Sequence, residues 1–406
     1  MFDVQIARAA FPALERSQDG TPVAYFDGPG GTQVPESVIH AMQRPLYEGV
    51  SNLGGAFASS QLAEEITHEA RKAGADLVGA VDPEEIVFGQ NMTSLTFAMS
   101  RALARTWRPG DRIVVTGLDH DANVTPWRMA AADAGVAVDL VPFDLDDFRL
   151  HPEAFDQVLT DRTRLVAVTH ASNAIGTIPD VADIAERAHA VGALVYVDAV
   201  HYAPHGPIDV AAIGADFLVA SAYKFYGPHT GLLYGRRELL EDLVPYKVRP
   251  APDRGAGRWE TGTQSFESLA GVRAAVDYLA SLGEGPDRRS AIVDGHARVS
   301  EHLDRLTERF FDGLDGHVTL YGIRSVEDRT PTFAITVEDQ DPSTVAQFLG
   351  TRGLYVWDGH YYAIEPMRRL GLLETGGAVR IGFVHTTTEA EVDRLLEALA
   401  QAGSLQ

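Results

Sequence analysis

Short runs of apolar residues alternate with amphipathic segments through the middle of the chain. Seven runs rich in Val, Ile and Leu are typical of strands buried on both faces of a parallel sheet. These runs cover residues 85–89, 112–117, 136–143, 164–170, 194–200, 217–222 and 231–235. Between them, residues 93–106 and 181–192 repeat apolar positions at helical spacing. The alternation predicts an α/β fold in which helices cover both faces of a doubly wound sheet.

The pattern changes after about residue 265, where longer amphipathic segments are followed by separate strands. We expect helices at about 265–282, 288–312 and 386–402, and strands at 330–337 and 378–384. The last helix begins with Thr and Glu residues, which is typical of a helix N-terminus. This mixture predicts a large domain at residues 20–280 and a smaller α+β domain made of residues 1–19 and 281–406.

The charge balance and the missing cysteines exclude several classes of protein. The chain has 406 residues, with 34 basic against 57 acidic side chains and a net charge of −23. So acidic a chain is unsuited to nucleic acid or an anionic membrane, so we expect neither as a partner. It contains no cysteine, which rules out disulfides, cysteine-ligated metal and a thiolate nucleophile, and we predict no metal site.

The sequence also bears on location. No apolar run approaches the length of a membrane span, and the first residues lack a basic start followed by an apolar core. We therefore expect no signal peptide and a cytoplasmic protein.

Polar residues follow four of the predicted strands. Their positions are 119–123 after the second strand, Ser172 and Asn173 after the fourth, Asp198 and His201 after the fifth, and 221–224 after the sixth. Ligands of α/β sheets bind at the carboxyl ends of strands. One such residue alone is usually structural, but a Lys, an Asp, an Asn and two His at one sheet edge indicate a binding site.

Lys224 and Asp198 together point to a particular cofactor. Lys224 follows a strand of small and apolar residues, so desolvation should lower its pKa and make the amine nucleophilic. A lysine and an acidic partner for a pyridinium nitrogen are what pyridoxal 5′-phosphate (PLP) requires. Thr93 lies at the start of a predicted helix, which suits a phosphate. Taken singly, the same features also fit a surface lysine and an ordinary capped helix.

Seven segments together resemble the class V aminotransferases of PLP fold type I, and among them the cysteine desulfurase and selenocysteine lyase group. They are FDGPGGTQVP, LDHDANVTPW, THASNAIGT, VYVDAVHYAPH, SAYKFYGPHTGLLYG, WETGTQ and VRIGFVHTTTEAEVDRL, within about residues 20–395. The nearest resemblance is to a cysteine-desulfurase-like subfamily. It implies PLP as cofactor, a large domain with a mostly parallel seven-stranded sheet, and a smaller α+β C-terminal domain.

The resemblance also implies roles for individual residues. Lys224 matches the lysine that forms the internal aldimine and shuttles the substrate proton, Asp198 the partner of the pyridine nitrogen, and His120 the ring that stacks on the cofactor. Arg380 matches the arginine that holds the substrate α-carboxylate. Further cofactor contacts are implied at Met92, Thr93, Asn173, His201, Ser221 and Tyr223, and at Thr263, which would reach the other subunit's phosphate in a homodimer.

The chain departs from the desulfurases around the substrate. The position of their catalytic cysteine falls on Tyr362, so a persulfide on the enzyme is excluded and we expect no thiolate-dependent desulfurase. Asn52 begins a loop without the usual His and Arg, which implies a less basic, roomier pocket. His360, Tyr361 and Tyr362 complete the expected substrate-binding set, although the tyrosines would also suit simple packing on a mobile loop.

Several reactions remain open at this level. We expect an enzyme acting on a small-molecule amino acid, with transamination and β-elimination as the leading outcomes. Racemisation of the isopenicillin N epimerase type and a catalytically silent PLP-fold partner protein are the alternatives. A nucleotide-binding dehydrogenase is discarded, because residues 26–31 lack the spacing of the dinucleotide-binding glycines.

Overall fold

The computed structural model describes residues 2–405. The helices are α1 (Val4–Arg8), α2 (Glu36–Glu48), α3 (Ala58–Val78), α4 (Met92–Ala104), α5 (Thr125–Ala134), α6 (Val181–Ala190), α7 (Arg237–Asp242), α8 (Phe266–Ser281), α9 (Arg288–Gly313), α10 (Pro342–Gly350), α11 (Ile364–Arg369) and α12 (Glu389–Ala402). The strands are β1 (Ser17–Gln18), β2 (Thr21–Pro22), β3 (Ala24–Tyr25), β4 (Ile86–Gly89), β5 (Arg112–Thr116), β6 (Ala137–Val141), β7 (Thr163–Thr169), β8 (Leu194–Asp198), β9 (Phe217–Ser221), β10 (Gly231–Gly235), β11 (Val318–Tyr321), β12 (Thr332–Val337), β13 (Leu354–Tyr355), β14 (Trp357–Gly359) and β15 (Ala378–Gly382).

The seven strands predicted from apolar runs form one sheet. Its order is β4-β10-β9-β8-β7-β5-β6, and β10 alone runs in the direction opposite to the other six strands. The mostly parallel α/β fold is therefore confirmed. Burial on both faces was the wrong expectation for β6, where Ala137 and Leu140 are exposed. β6 has a neighbour on one side only, so its outer residues meet solvent.

A second, antiparallel sheet lies in the C-terminal part of the chain. Its order is β11-β12-β15-β14, and both strands predicted there, β12 and β15, pair in its centre. Aromatic side chains fill the space between this sheet and its helices, including Phe310 of α9 and Phe333 of β12. The sheet matters for function because β15 carries Arg380 and β14 carries Trp357.

The N-terminal residues pack against this second sheet. Arg8 donates to the carbonyl of Thr386 at 2.7 Å and to Glu391 at 3.0 Å. β3 pairs in parallel with β13, and Phe26 belongs to the aromatic core of the C-terminal sheet. The chain thus stays against that sheet up to about Asp27, which forms a bridge to Gly382. The division at residues 20 and 280 stays a prediction.

The N-terminus of α12, the last helix, is capped as the sequence predicted. The Thr388 hydroxyl accepts from the Glu391 N–H at 3.2 Å, and the Glu391 carboxylate accepts from the Thr388 N–H at 2.8 Å. This reciprocal pair satisfies two donors that the first turn of α12 leaves without a helical partner. The threonine cap expected from the sequence is therefore present.

The longest helices, α3 with 21 residues and α9 with 26, carry charged residues along their length. Within residues 2–405, no helix combines the length and the apolar character needed to cross a bilayer.

One glycine at the junction of the two sheets gives a test of the packing. Gly176 has a φ of +79°, and a Cβ there would lie 2.7 Å from the Thr332 carbonyl oxygen and 2.8 Å from that of Thr330. Gly192 has the same φ of +79° with nothing within 4 Å of a built Cβ. Left-handed backbone costs an alanine roughly 1–2 kcal/mol at either position. Gly176→Ala should lower the free energy of unfolding by about 1–3 kcal/mol more than Gly192→Ala does, because the added methyl group is also overpacked.

Urea unfolding of the two variants, followed by circular dichroism, measures the difference. Equal losses of unfolding free energy in the two variants would contradict the prediction. They would show that the backbone at Gly176 shifts away from the two carbonyls without a loss of stability.

Candidate active site

A cavity of about 670 Å³ opens at the carboxyl ends of β7, β8 and β9. Its walls include the start of α4, the turn after β5 and the segment 357–362, which begins in the second sheet. Most of the site residues predicted from the sequence line it: Met92, Thr93, His120, Asn173, Asp198, His201, Tyr223, Lys224, His360, Tyr361, Tyr362 and Arg380. The convergence that the strand ends predicted is therefore present.

Three predicted residues lie elsewhere. Ser221 is buried behind the cavity, where its Oγ accepts from the Met92 N–H at 3.0 Å. Asn52 and Thr263 are exposed, and the Asn52 side-chain amide donates to the Thr263 hydroxyl at 3.4 Å. Neither of these two is among the residues that line the cavity of their own chain. Their functional roles stay predictions.

Lys224 projects into the cavity from a 3-10 turn that follows β9 directly. Its Nζ donates to the backbone carbonyls of Pro29 and, at 2.8 Å, Gly30. Burial, aided by the positive charge of Arg380, lowers the pKa of the amine to about 7, and Asp198 opposes this shift. Above pH 7 the amine is therefore mainly neutral and nucleophilic.

Asp198 ends β8 and is almost fully buried. Its Oδ1 accepts from the Val200 N–H at 2.9 Å. Burial raises the pKa of this carboxyl to about 6, while the hydrogen bond from Val200 and the charge of Lys224 act in the opposite direction. Among residues 2–405 no salt bridge involves Asp198, and a buried carboxylate in this state is well suited to pair with a cationic group of a ligand.

His120 is held on a turn whose base is a buried hydrogen-bond network. Asp119 accepts from the Thr116 hydroxyl and, at 2.6 Å, from the Asn123 amide, and Asn123 accepts from the Trp127 indole at 3.0 Å. The His120 Nδ1 accepts from the Ala122 N–H at 3.0 Å. Burial lowers the pKa of His120 to about 3, so the ring is neutral and presents an apolar face.

His201 lies deeper in the same cavity. Its Nε2 is 3.0 Å from the hydroxyl of Thr330 and 3.0 Å from that of Thr332. Burial holds the pKa of His201 well below its usual range, so this ring too is neutral. The two threonines were not predicted as site residues, because nothing in their strand pattern distinguishes them from ordinary β-sheet threonines.

Arg380 reaches the cavity from the second sheet. It is 4% exposed, and its Nη1 donates to the Asn173 carbonyl at 3.1 Å. Burial lowers the pKa of the guanidinium to about 10, so it remains a cation at neutral pH. Its Nε and the Asn173 side-chain oxygen are buried without a partner among residues 2–405. Such groups are costly to leave unpaired, which indicates that a ligand completes them.

The loop after β14 has an unusual backbone. Tyr361 and Tyr362 both have positive φ angles, +41° and +58°, which bulky side chains rarely adopt. The Tyr362 carbonyl accepts from the Asp121 N–H at 2.7 Å, and its ring stacks beside His120 with centroids 5.6 Å apart. Left-handed backbone at consecutive bulky residues is typical of functional loops.

Sequence reasoning missed several groups around the cavity. The carbonyls of Pro29 and Gly30 hold the lysine amine, but backbone acceptors leave no side-chain signal in a sequence. Apolar and aromatic walls come from Phe97, Pro126 and Trp357, the last 52% exposed. The only available signal for this region was the FDGPGG segment, which the resemblance matched as a motif without a role.

The residues present fit PLP. The desolvated Lys224 and the buried Asp198 line one cavity, together with the neutral ring of His120. The Thr93 N–H lies in the first turn of α4, where no helical carbonyl can accept it, and that turn suits a phosphate. Among the described residues, 2–405, no group of three or more metal-ligating side chains is present.

Comparison with known proteins agrees with this geometry. Residues 24–395 match the family described as aminotransferase class-V. The chain is 33% identical to an aminotransferase-like protein, FGM3, of Gibberella zeae over 98% of both chains. It is 31% identical to a cysteine desulfurase of Pectobacterium atrosepticum, covering 98% of this chain and 97% of the relative.

Solved structures show the same likeness in three dimensions. A cysteine desulfurase from Thermococcus onnurineus superposes with a TM-score of 0.89 at 27% identity, covering 99% of this chain and 98% of the other. The cysteine desulfurase CsdA of Escherichia coli gives a TM-score of 0.84 at 27% identity, over 99% and 98% of the two chains.

The chain therefore belongs to the class V aminotransferase family. It is a PLP-dependent enzyme of fold type I, similar to the cysteine desulfurases.

The lowered pKa of Lys224 predicts how the protein captures its cofactor. Only a neutral amine attacks an aldehyde, so the rate of covalent capture of added PLP should rise with pH through about 7 and then level off. A lysine with its ordinary pKa of 10.5 would keep accelerating to far higher pH. Stopped-flow absorbance of cofactor-free protein mixed with PLP measures this profile.

Lys224→Ala is the control, because it removes the amine while leaving Asp198 and His120 in place. The variant should show no capture phase between pH 6 and 9, a range about 1–2 units either side of the Lys224 pKa. A capture rate that still climbs steeply at the top of this range would contradict the desolvated state of Lys224.

Proposed function

We propose that the chain removes the α-proton of an amino acid and completes either transamination or β-elimination, without a persulfide on the enzyme. The observation that carries this proposal is the placement of two groups on one cavity. They are the Lys224 amine, whose pKa is about 7, and the buried cation of Arg380. One can accept a proton while the other holds a carboxylate.

Lys224 is the proposed base. When bound, PLP withdraws electrons from the substrate α-carbon and makes its proton acidic. The neutral amine of Lys224 then accepts that proton and can return it to another atom. Asp198 supplies a negative charge for the pyridine nitrogen, and His120 offers the face of a neutral ring. A base with a pKa near the working pH is the efficient choice for proton transfer.

Arg380 is the proposed carboxylate clamp. Its guanidinium donates one hydrogen bond to the Asn173 carbonyl, and its Nε has no partner among the described residues. A planar guanidinium binds a carboxylate through two parallel hydrogen bonds. This orients the amino acid, because the α-carbon is one bond away from the clamped group.

The absence of a thiol separates this chain from thiolate-dependent desulfurases. Its 406 residues contain no cysteine, and Tyr362 occupies the loop position that the resemblance assigns to the catalytic cysteine. The Tyr362 side chain is 67% exposed at the mouth of the cavity. A phenol does not carry a persulfide, so the product of any sulfur-releasing reaction would leave the enzyme directly.

We also propose a homodimer in which Thr263 contacts the cofactor of the other subunit. The support is that Thr263 and Asn52 are exposed, hydrogen-bonded to one another and outside the cavity of their own chain. An exposed pair outside its own cavity is accessible to a neighbouring chain. A cytoplasmic location stays a prediction.

The function is tested by the visible spectrum of PLP-loaded protein as single amino acids are added. We expect one class of amino acid to bleach the band of the lysine-bound cofactor. Accumulation of the pyridoxamine form identifies transamination. Recovery of the starting spectrum with release of a keto acid and a side-chain fragment identifies β-elimination.

Arg380→Gln serves as the matched variant in this test. It should keep the cofactor band but need about tenfold or more of the same amino acid for half-bleaching, since a charged hydrogen-bonded pair contributes about 1.5–3 kcal/mol. A bound cofactor whose band no amino acid changes would contradict the proposed activity.

A further inference from the structure

The Arg380 guanidinium lies on the face of the Tyr361 ring, with 4.6 Å between the guanidinium carbon and the ring centroid. We propose that Tyr361 is a positioning residue whose ring fixes the plane of Arg380 for the substrate carboxylate. This inference rests on the proposed function, because it requires that Arg380 bind a carboxylate.

The need for a second constraint follows from the bonds that Arg380 makes. Its guanidinium makes one hydrogen bond to the protein among residues 2–405, from Nη1 to the Asn173 carbonyl at 3.1 Å. A single hydrogen bond does not by itself set the plane of the guanidinium, and the flat ring beneath it supplies a second contact. The contact is strong because Arg380 is almost fully desolvated, and a cation over an aromatic face gains most when water is excluded.

Tyr361 is itself held from the backbone. The Asn173 side-chain amide donates to the Tyr361 carbonyl at 3.1 Å. Asn173 thus bonds Arg380 through its carbonyl and Tyr361 through its amide, which closes a ring of three contacts. On the far side, the Ala363 N–H donates to the His360 carbonyl at 2.7 Å.

The left-handed backbone of Tyr361 belongs to the same arrangement. Its φ of +41° costs on the order of 1–3 kcal/mol for a tyrosine. In this conformation the carbonyl meets Asn173 while the ring lies under Arg380. The three contacts hold the loop in a conformation that its sequence does not favour by itself.

The contributions of the Tyr361 ring and of its hydroxyl to the position of Arg380 can be distinguished. The hydroxyl oxygen is buried without a hydrogen-bond partner among residues 2–405, so it contributes no bond that would hold Arg380. Burial also raises the pKa of the phenol, which keeps it neutral and excludes it as a counter-ion. Phenylalanine should therefore position Arg380 as tyrosine does, and an aliphatic residue should not.

Two reagents that react with bound PLP isolate the carboxylate clamp. Aminooxyacetate carries a carboxylate, and O-methylhydroxylamine has the same reactive group without one. The rate constant of each reagent with PLP-loaded protein is measured from the loss of the cofactor band. The ratio of the two rate constants shows how much binding of the carboxylate accelerates the reaction. Wild type should favour aminooxyacetate.

In Tyr361→Leu this ratio should fall about tenfold, since a desolvated cation–π contact is worth up to about 2 kcal/mol. In Tyr361→Phe it should stay within about twofold of wild type, because the aromatic face is retained. Tyr361→Met is a second ring-free variant of similar bulk, in case leucine disturbs folding. The melting temperature and cofactor band of each variant show that the fold is intact.

The other outcomes separate the two proposals. A wild type that does not discriminate between the reagents overturns the clamp and the role of Tyr361 together. A discriminating wild type whose leucine and methionine variants discriminate equally overturns the role of Tyr361 alone. An equal fall in Tyr361→Phe and Tyr361→Leu shows that the hydroxyl binds the carboxylate directly, and it too overturns positioning by the ring.

Discussion

Burial of the Lys224 amine at the carboxyl ends of parallel strands is the constraint on which the rest of the site depends. β7, β8 and β9 run in the same direction and end at one edge of the sheet, so Asn173, Asp198 and Lys224 meet there. The strands beneath them are buried and largely apolar, and the amine lines the cavity. That environment brings the pKa of the amine to about 7.

The second sheet supplies what the first cannot. Arg380 comes from β15, and the carbonyls that hold the Lys224 amine come from residues 29–30, next to the bridge between Asp27 and Gly382. The lysine and the arginine therefore reach one cavity from two different sheets. Strained backbone in the loop 359–362 brings Tyr361 and Tyr362 into this junction, where they are tied to Asn173 and Asp121.

Much of this arrangement could be predicted from the sequence, and the reasons are physical. Buried parallel strands have apolar runs that stand out, and the polar residues that follow them mark the active edge. Lys224, Asp198 and His120 were found in this way, and the resemblance added Arg380. Contacts made by backbone atoms or between distant segments left no signal. The carbonyls of Pro29 and Gly30, the threonines that bond His201, and the stacking of Arg380 on Tyr361 appear only once the chain has folded.

We propose that Lys224 is the residue that carries the cofactor. The chain has only three lysines, Lys72, Lys224 and Lys247, so the attachment site can be identified directly. PLP-loaded protein is reduced with borohydride, digested, and analysed by mass spectrometry for the peptide that bears the reduced cofactor. We expect the label on Lys224 alone. A label on Lys72 or Lys247 with Lys224 unmodified, or no labelled peptide from a protein that shows the cofactor band, would contradict it.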